Sequence, residues 1–392
     1  MKKKENYLLS IFFTGVITIG CILTLIFNPK EIAGGLYRGW VSSPEGSSVF
    51  VKLSNSFSLF EDRFNTYFVG HNAAVNSYGA IQKMMGRTLV DDVDKYYNVL
   101  KLNNDYLTFA PIYETGSFDK ALEHLCKLDE VCEQNSAEFL YVPMLSKNQD
   151  ISQFPENYPI KPFDNYEQII EALHSNNIDS INLKESAKKH GMDLYSLFYR
   201  TDHHWKSSSG LFVAGLLTER MNELFDFSLE SELLDPDNFT CEHYENVFLG
   251  TQGKRVGKYY GGMDDFDVIY PDYSTDFNVE YYNLDEERSG DFQNAFIFRE
   301  NLDLNNPLTL DTNMYDTYMD GNHALIKCHN KLQNNGKKGL IVIDSYGCVV
   351  APYLALEFSE LDCIDVRGFT EMTVEEYIEN EKPDVVIYMI YG

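Results

Sequence analysis

The sequence predicts an α/β fold, a mostly parallel sheet with helices on both faces, behind an N-terminal transmembrane helix. Three observations lead there. Amphipathic helical stretches alternate with short apolar runs through most of the chain, the pattern of strands buried between two helical layers. Residues 338–391 read as an unbroken βαβαβ unit. Near the N-terminus lies one uncharged apolar run of about twenty residues, the length that crosses a hydrocarbon core.

That run covers residues 7–27, with Lys2-Lys3-Lys4 ahead of it. The lysines keep their end in the cytoplasm. A cleaved signal peptide is the rival reading. The run is longer than a usual signal core, however, and Ile26-Phe27-Asn28-Pro29 lacks the small-x-small pattern of a cleavage site. Residues 1–29 are therefore expected to be an uncleaved signal-anchor, giving a single-pass protein of the cell membrane with its C-terminal part extracytoplasmic. Residues 30–56 contain the turn cluster Ser42-Ser43-Pro44-Glu45-Gly46-Ser47-Ser48 and read as a juxtamembrane tether. Residues 57–392 make the domain.

Within it, 57–87 has helical periodicity broken at Gly70 and Gly79, and 106–109 is a short extended piece. Residues 119–135 form an amphipathic helix, and 138–145 the apolar run of a buried strand. A second helix–strand pair follows at 166–174 and 178–183, then a leucine-rich helical stretch at 184–198. Residues 208–225 are helical. The Gly- and Tyr-rich segment 242–276 reads as loops with short strands. The closing unit is strand 338–344, helix 347–358, strand 361–366, helix 373–380 and strand 384–391. No internal repeat is visible.

The chain of 392 residues is long enough for one large domain plus appended elements. Its hydrophobic fraction of 44% argues against disorder. A formal net charge of −28 excludes a nucleic-acid partner, which needs clustered Lys and Arg. Aromatics at 14% suit a packed core and a sugar-binding surface alike. Of the seven cysteines, Cys21 lies in the anchor. Cys126 and Cys132 share one helical pattern, with Cα atoms roughly 9 Å apart, too far to bridge. No Cys/His ligand spacing for structural zinc appears. Buried free thiols, with at most one disulfide, are expected.

Two motifs carry chemistry. Tyr199-Arg200-Thr201-Asp202-His203-His204-Trp205 leads into a helix start at Ser207-Ser208-Ser209-Gly210. On an extended segment, residues two apart point to one side, so Asp202 can hold the Nδ1 proton of His204 and leave Nε2 as a base. The bland alternative is a capping Asp202 with packed histidines, and Asp202, His203 and His204 also make a metal-binding set. The second motif is Ile341-Val342-Ile343-Asp344-Ser345-Tyr346-Gly347. Here a serine directly follows an apolar strand and opens a helix, placing Oγ at the carboxyl edge of the sheet, where open α/β folds bind ligands. The helix start offers N–H groups to an oxyanion. A plain N-cap serine is the alternative.

The residues Thr201-Asp202-His203-His204-Trp205 and Asp344-Ser345-Tyr346-Gly347 resemble the DHHW family, which belongs to the wider SGNH-hydrolase-like group containing the alginate O-acetylation proteins. Looser resemblance extends to Phe60-Glu61-Asp62-Arg63-Phe64, to Phe248-Leu249-Gly250-Thr251-Gln252-Gly253-Lys254-Arg255 and to Asp320-Gly321-Asn322-His323. The resemblance implies an SGNH-like (flavodoxin-like) fold in permuted order, the Asp-His block preceding the Ser block. It also implies Ser345 as nucleophile, His204 as base and Asp202 as its partner, with His203 the residue between. Asn322 is a candidate oxyanion-hole side chain, because Gly321 permits close approach and the amide donates; a simple turn is the alternative. Lys254 and Arg255 are candidates for holding an anionic sugar, or are solvated. Trp205 is expected to pack beneath the loop.

The implied activity is O-acetyl transfer onto a cell-surface or secreted polysaccharide through an acyl-enzyme. A multipass membrane partner that exports acyl groups comes with it, and no cofactor or metal. Carbohydrate acetyl-ester hydrolysis uses the same triad. A non-catalytic polysaccharide-binding or scaffold protein and a metal-dependent hydrolase on Asp202, His203 and His204 are the readings from other classes.

Overall fold

The computed structural model describes all residues except 1, 45, 94–96, 112–117, 159–165, 283–285, 303, 305–312 and 391–392, and also leaves out the side chains of 2–10, 12, 13 and 286. The chain clusters into two compact units, residues 1–81 and 82–392.

The first unit is helical. Helix α1 (Lys2–Phe27) is followed by α2 (Pro29–Val41), α3 (Val49–Thr66) and the start of α4 (His71–Met84). The segment expected as a tether is thus mostly helix. Gly35 lies against Leu59 and Gly39 against Asn55 and Ser56, so α2 and α3 run antiparallel. A Cβ at Gly39 would stand 2.5 Å from the Asn55 carbonyl oxygen, and only glycine permits that approach. Among the described residues no single helix is long and apolar enough to cross a membrane. Thr14–Phe27 and Pro29–Val41 pass that test only as a pair, bent by 80° at Asn28. The side chains of Lys2, Lys3 and Lys4, and of the start of the apolar run, lie outside the described residues.

The second unit is built on a sheet of seven strands. A small antiparallel sheet comes first: β1 (Leu89–Val90), β2 (Val99–Lys101) and β3 (Leu107–Phe109). Then follow α5 (Asp119–Gln134), β4 (Glu138–Tyr141), α6 (Tyr166–Ser175), α7 (Leu183–Lys189) and α8 (Ser207–Phe225). The next stretch holds β5 (Phe239–Phe248), α9 (Thr251–Val256), α10 (Lys258–Gly261), β6 (Asp264–Pro271), β7 (Phe277–Tyr281), β8 (Glu286–Gly290) and α11 (Phe292–Phe296). The chain ends on β9 (Leu325–Asn330), β10 (Lys338–Ile343), α12 (Ala351–Leu354), β11 (Glu360–Asp365), α13 (Val374–Glu381) and β12 (Val385–Met389).

The main sheet has the order β4-β12-β10-β11-β9-β7-β8. The first four strands are parallel; β9, β7 and β8 pair antiparallel. The sheet is therefore mixed, a correction to the mostly parallel expectation. Residues alternate between faces, as the pleat requires. Ile341, Ile343, Val385 and Ile387 enter the larger apolar core with α8, whereas Leu340, Val342 and Val386 enter a second core with α5, α6 and α13. Helices cover both faces, as expected.

Two local expectations change. Residues 178–183 do not form a strand; Ser180 makes one isolated parallel bridge to Tyr141. Segment 242–276, expected as loops with short strands, contains most of the paired strands β5 and β6, which are longer than expected at ten and eight residues. Along β5 the exposed positions include Thr240, Cys241, His243 and Glu245 and the half-buried ones Phe239, Glu242 and Tyr244, so no hydrophobic alternation marks it. All seven cysteines are free: Cys132, Cys328, Cys348 and Cys363 are buried, Cys21 and Cys126 half-buried, and Cys241 exposed.

Candidate active site

The carboxyl ends of the four parallel strands converge on one cleft of about 460 Å³. Ser146, Lys147 and Asn148 follow β4, Asp344, Ser345 and Tyr346 follow β10, Val366 and Arg367 follow β11, and Ile390 follows β12. Thr108, Phe109 and His203 close the opposite wall. This is where a parallel sheet leaves room for a ligand.

Ser345 stands directly after β10, at the start of a 3₁₀ turn, Ser345–Val349, capped by Asp344. Its Oγ lies 2.8 Å from His204 Nε2, and His204 Nδ1 lies 2.6 Å from Asp202 Oδ1. The three candidates that the sequence places 141 residues apart are thus one relay. Asp202 and His204 are buried. Burial alone would raise the Asp202 carboxyl, but the His204 and His203 imidazoles and hydrogen bonds from His204 and the Thr251 N–H outweigh it and hold it well below the usual range. His203 Nδ1 is 3.5 Å from the same carboxylate oxygen, and burial, with His204 beside it, pushes its imidazole down to about 3.

The Asp-His segment is held from several sides. Thr201 anchors it: its N–H and hydroxyl both donate to Asp264, and its own hydroxyl oxygen accepts from the Gly250 N–H. Gly250 itself packs on Asp202, where a Cβ would fall 2.2 Å from the Asp202 Cβ. The ring of Tyr315 stacks on His204, with centroids 4.1 Å apart and planes 13° from parallel. Tyr346 Oη donates to the His203 carbonyl at 2.8 Å, tying the Ser block to the Asp-His block. Trp205 is buried with its ring edge-on to Tyr346, packing as expected.

Lys147 went unnoticed in the sequence. Its buried Nζ donates to the carbonyls of Leu107, Tyr199 and Asp202, clamping the small sheet to the Asp-His segment. Burial pulls its ammonium down to about 7 against the Asp202 and Asp264 carboxylates. The available signal was positional: a lysine a few residues past the end of a buried strand, on the sheet edge that carries Ser345.

The remaining candidates fall around this core. Asn322 is exposed beside the Ser345 turn, and its Oδ1 accepts from Arg367 at 2.9 Å and from the Cys348 thiol. A guanidinium has no acceptor, so the amide must turn its oxygen to Arg367 and its NH₂ away. Arg367 is in turn held by both oxygens of Asp365. The Tyr346 and Gly347 N–H groups are both taken by Asp344, through Oδ1 and the carbonyl. The helix start therefore offers an oxyanion less than expected, leaving the Ser345 N–H and the Asn322 amide as candidate donors. Lys254 and Arg255 sit on α9 and do not line the cleft. Arg255 lies over the rings of Tyr97 and Phe109 and donates to the Thr251 carbonyl, a bracing position. Asp202, His203 and His204 also bring three ligand atoms within 4.8 Å of one another, although Asp202 Oδ1 already accepts from the His204 N–H and Nδ1–H.

No family model matches the sequence, and no curated protein matches it. Solved structures do. Bacillus cereus PatB1 is 16% identical with a TM-score of 0.60, over 74% of this chain and 95% of that one. A second structure of PatB1, with a sulfonyl adduct, gives 0.57 at 15% identity over the same shares. A DHHW family protein from Eubacterium siraeum is 18% identical with a TM-score of 0.53, over 78% of this chain and 93% of that one. The O-acetyltransferase domain of Pseudomonas putida AlgJ also matches, at a TM-score of 0.42 and 13% identity, over 74% and 90%, a likeness too distant to bear on function. The chain thus shares its fold with PatB1 and with a DHHW family protein.

Proposed function

We propose that the protein is an SGNH-type O-acetyltransferase that acts on a cell-surface or secreted polysaccharide through an acyl-enzyme. The observation that carries the reading is the continuous Asp202–His204–Ser345 relay at the floor of a cleft on the sheet's carboxyl edge. The Ser345 hydroxyl gives its proton to His204 Nε2 as Oγ attacks the acetyl carbonyl carbon. The tetrahedral oxyanion takes hydrogen bonds from the Ser345 N–H and the Asn322 amide, and collapses to acetyl-Ser345 as the leaving oxygen takes the proton from His204. A sugar hydroxyl then gives its proton to His204 and attacks the acyl carbon; the bond to Ser345 Oγ breaks as Oγ takes that proton back from His204, and the sugar leaves as its acetyl ester. Asp202, anionic throughout, holds the imidazole tautomer and faces the imidazolium.

A cell-membrane anchor in residues 1–29 places this domain outside the cytoplasm, beside a multipass partner supplying acyl groups. Arg255 braces the site in this reading, and neither it nor Lys254 lines the cleft that takes substrate.

The test is acetyl release from an activated acetyl ester, with a glycan acceptor in parallel. Ser345→Ala should reduce turnover by about 10³-fold or more, and a sulfonyl fluoride should label the wild type but not the variant. Acetyl on the glycan marks a transferase; acetyl only in water marks an esterase. Turnover that survives Ser345→Ala and disappears with a chelator points instead to a metal on Asp202, His203 and His204.

A further inference from the structure

The exposed large apolar side chains are concentrated in the first unit. On α2 they are Leu36, Tyr37, Trp40 and Val41, opposite the buried Ile32, Gly35 and Gly39 that meet α3. On α3 Val49, Phe50, Leu53 and Phe57 fall within about 100° of arc on a 3.6-residue helix, and the exposed Val51 lies outside that arc. Phe50 is 84% exposed and Tyr37 70%. Lys30, Arg38 and Lys52 border these residues, with Lys52 Nζ 5.7 Å over the Trp40 ring. A contiguous apolar face of this kind has an occupant.

Three features say which. The axis of α2 turns 80° from Thr14–Phe27, so if α1 runs along a membrane normal, α2 and the antiparallel α3 lie nearly in the membrane plane. The far end of α3 is fastened to α1: the Asn28 amide donates to the Tyr67 carbonyl, the Val69 N–H donates to Thr24 Oγ1 at 2.8 Å, and Phe68 rests on Gly20. Gly20 is about 10 Å along the helix from Phe27, so the hairpin sits at the depth of the last turns of the apolar run. The residue types are those of an interfacial helix, Trp and Tyr with basic neighbours.

We propose that the α2–α3 hairpin lies in the interfacial layer of a phospholipid membrane, apolar face inward, and holds the end of α1 at a fixed angle. This rests on the anchor reading above, and it replaces a flexible tether with a rigid one.

The protein has two tryptophans, exposed Trp40 and buried Trp205, which makes the test direct. The full chain is reconstituted into phosphatidylcholine vesicles brominated high on the acyl chain, and Trp40→Phe supplies the Trp205 background. Expected are flotation with the vesicles, loss of most Trp40 emission to bromine, and little quenching by iodide. Phe50→Glu with Phe57→Glu should still float but exchange bromine quenching for iodide quenching. A protein that floats while iodide reaches wild-type Trp40 overturns the placement, because the hairpin is then in water. Shielding from both quenchers also overturns it, because protein then covers the face. Failure to float overturns the anchor itself, and the hairpin's placement with it.

Discussion

Asp202 has two histidine neighbours, and distance separates their work. His204 bridges Asp202 and Ser345 at 2.6 and 2.8 Å, whereas His203 stands 3.5 Å from the carboxylate. With its imidazole near 3, His203 is neutral at any working pH, and Asp202 is anionic. His204→Ala should therefore lower acyl-ester turnover about 10³–10⁴-fold, while His203→Ala stays within about tenfold and keeps the wild-type acid limb of the pH–rate profile. The sequence made this pair visible through the two-residue spacing but left the choice between the histidines open, since spacing carries no distance to a residue 141 positions away. Lys147 was illegible for a related reason: its partners are main-chain carbonyls, which leave no mark in sequence. Lys147→Met strands three buried carbonyls, at about 1–3 kcal/mol each. Denaturant titration should show a loss of about 3 kcal/mol or more.

At the level of elements, glycines set how the two blocks meet. Gly210 lets the first turn of α8 press on the Val349 carbonyl, where a Cβ would stand 1.9 Å from the oxygen, so α8 supports the turn that begins at Ser345. Gly250 does the same for Asp202. Gly250→Ala must move the Asp202 backbone or α9, and a shift of that kind costs about 10²-fold in rate. The expected result is a fall in kcat of about that size and a lowered unfolding midpoint, since overpacking a buried contact costs about 1–3 kcal/mol, with KM changed far less. The helices α5, α6 and α8 were legible to within a residue or so from their periodicity. So were β10 and β12, whose runs are apolar on both faces, and β11 beside them. The antiparallel strands β7, β8 and β9 were not. They are short, β8 has no buried side chain among its described residues, and direction is decided by neighbours rather than by composition.

For the molecule as a whole, a weakness in stability is Glu357, fully buried, whose carboxylate faces the Glu230 N–H and no cation among the described residues. Burial raises its carboxyl from 4.5 to about 7. Between those values the folded state binds the extra proton, so stability contributed at low pH is lost as pH rises through 7. The shift corresponds to roughly 3 kcal/mol. Glu357→Gln should match wild type near pH 4 and exceed it by that order at pH 8, read by denaturant midpoints at both values. The α/β class and the meeting of the Asp-His and Ser blocks were readable from the sequence. The mixed sheet and the helical hairpin of the first unit were not: strand direction leaves no mark in composition, and the turn cluster at 42–48 interrupts the helical periodicity on either side of it.

Seven unpaired thiols have a practical meaning for where this chain can mature. Its native state requires no oxidant and no isomerase to sort partners, so folding on either side of a membrane ends in the same covalent structure. The second unit should then be recoverable from a reducing cytoplasm with full activity, and dithiothreitol should leave its unfolding midpoint where it was.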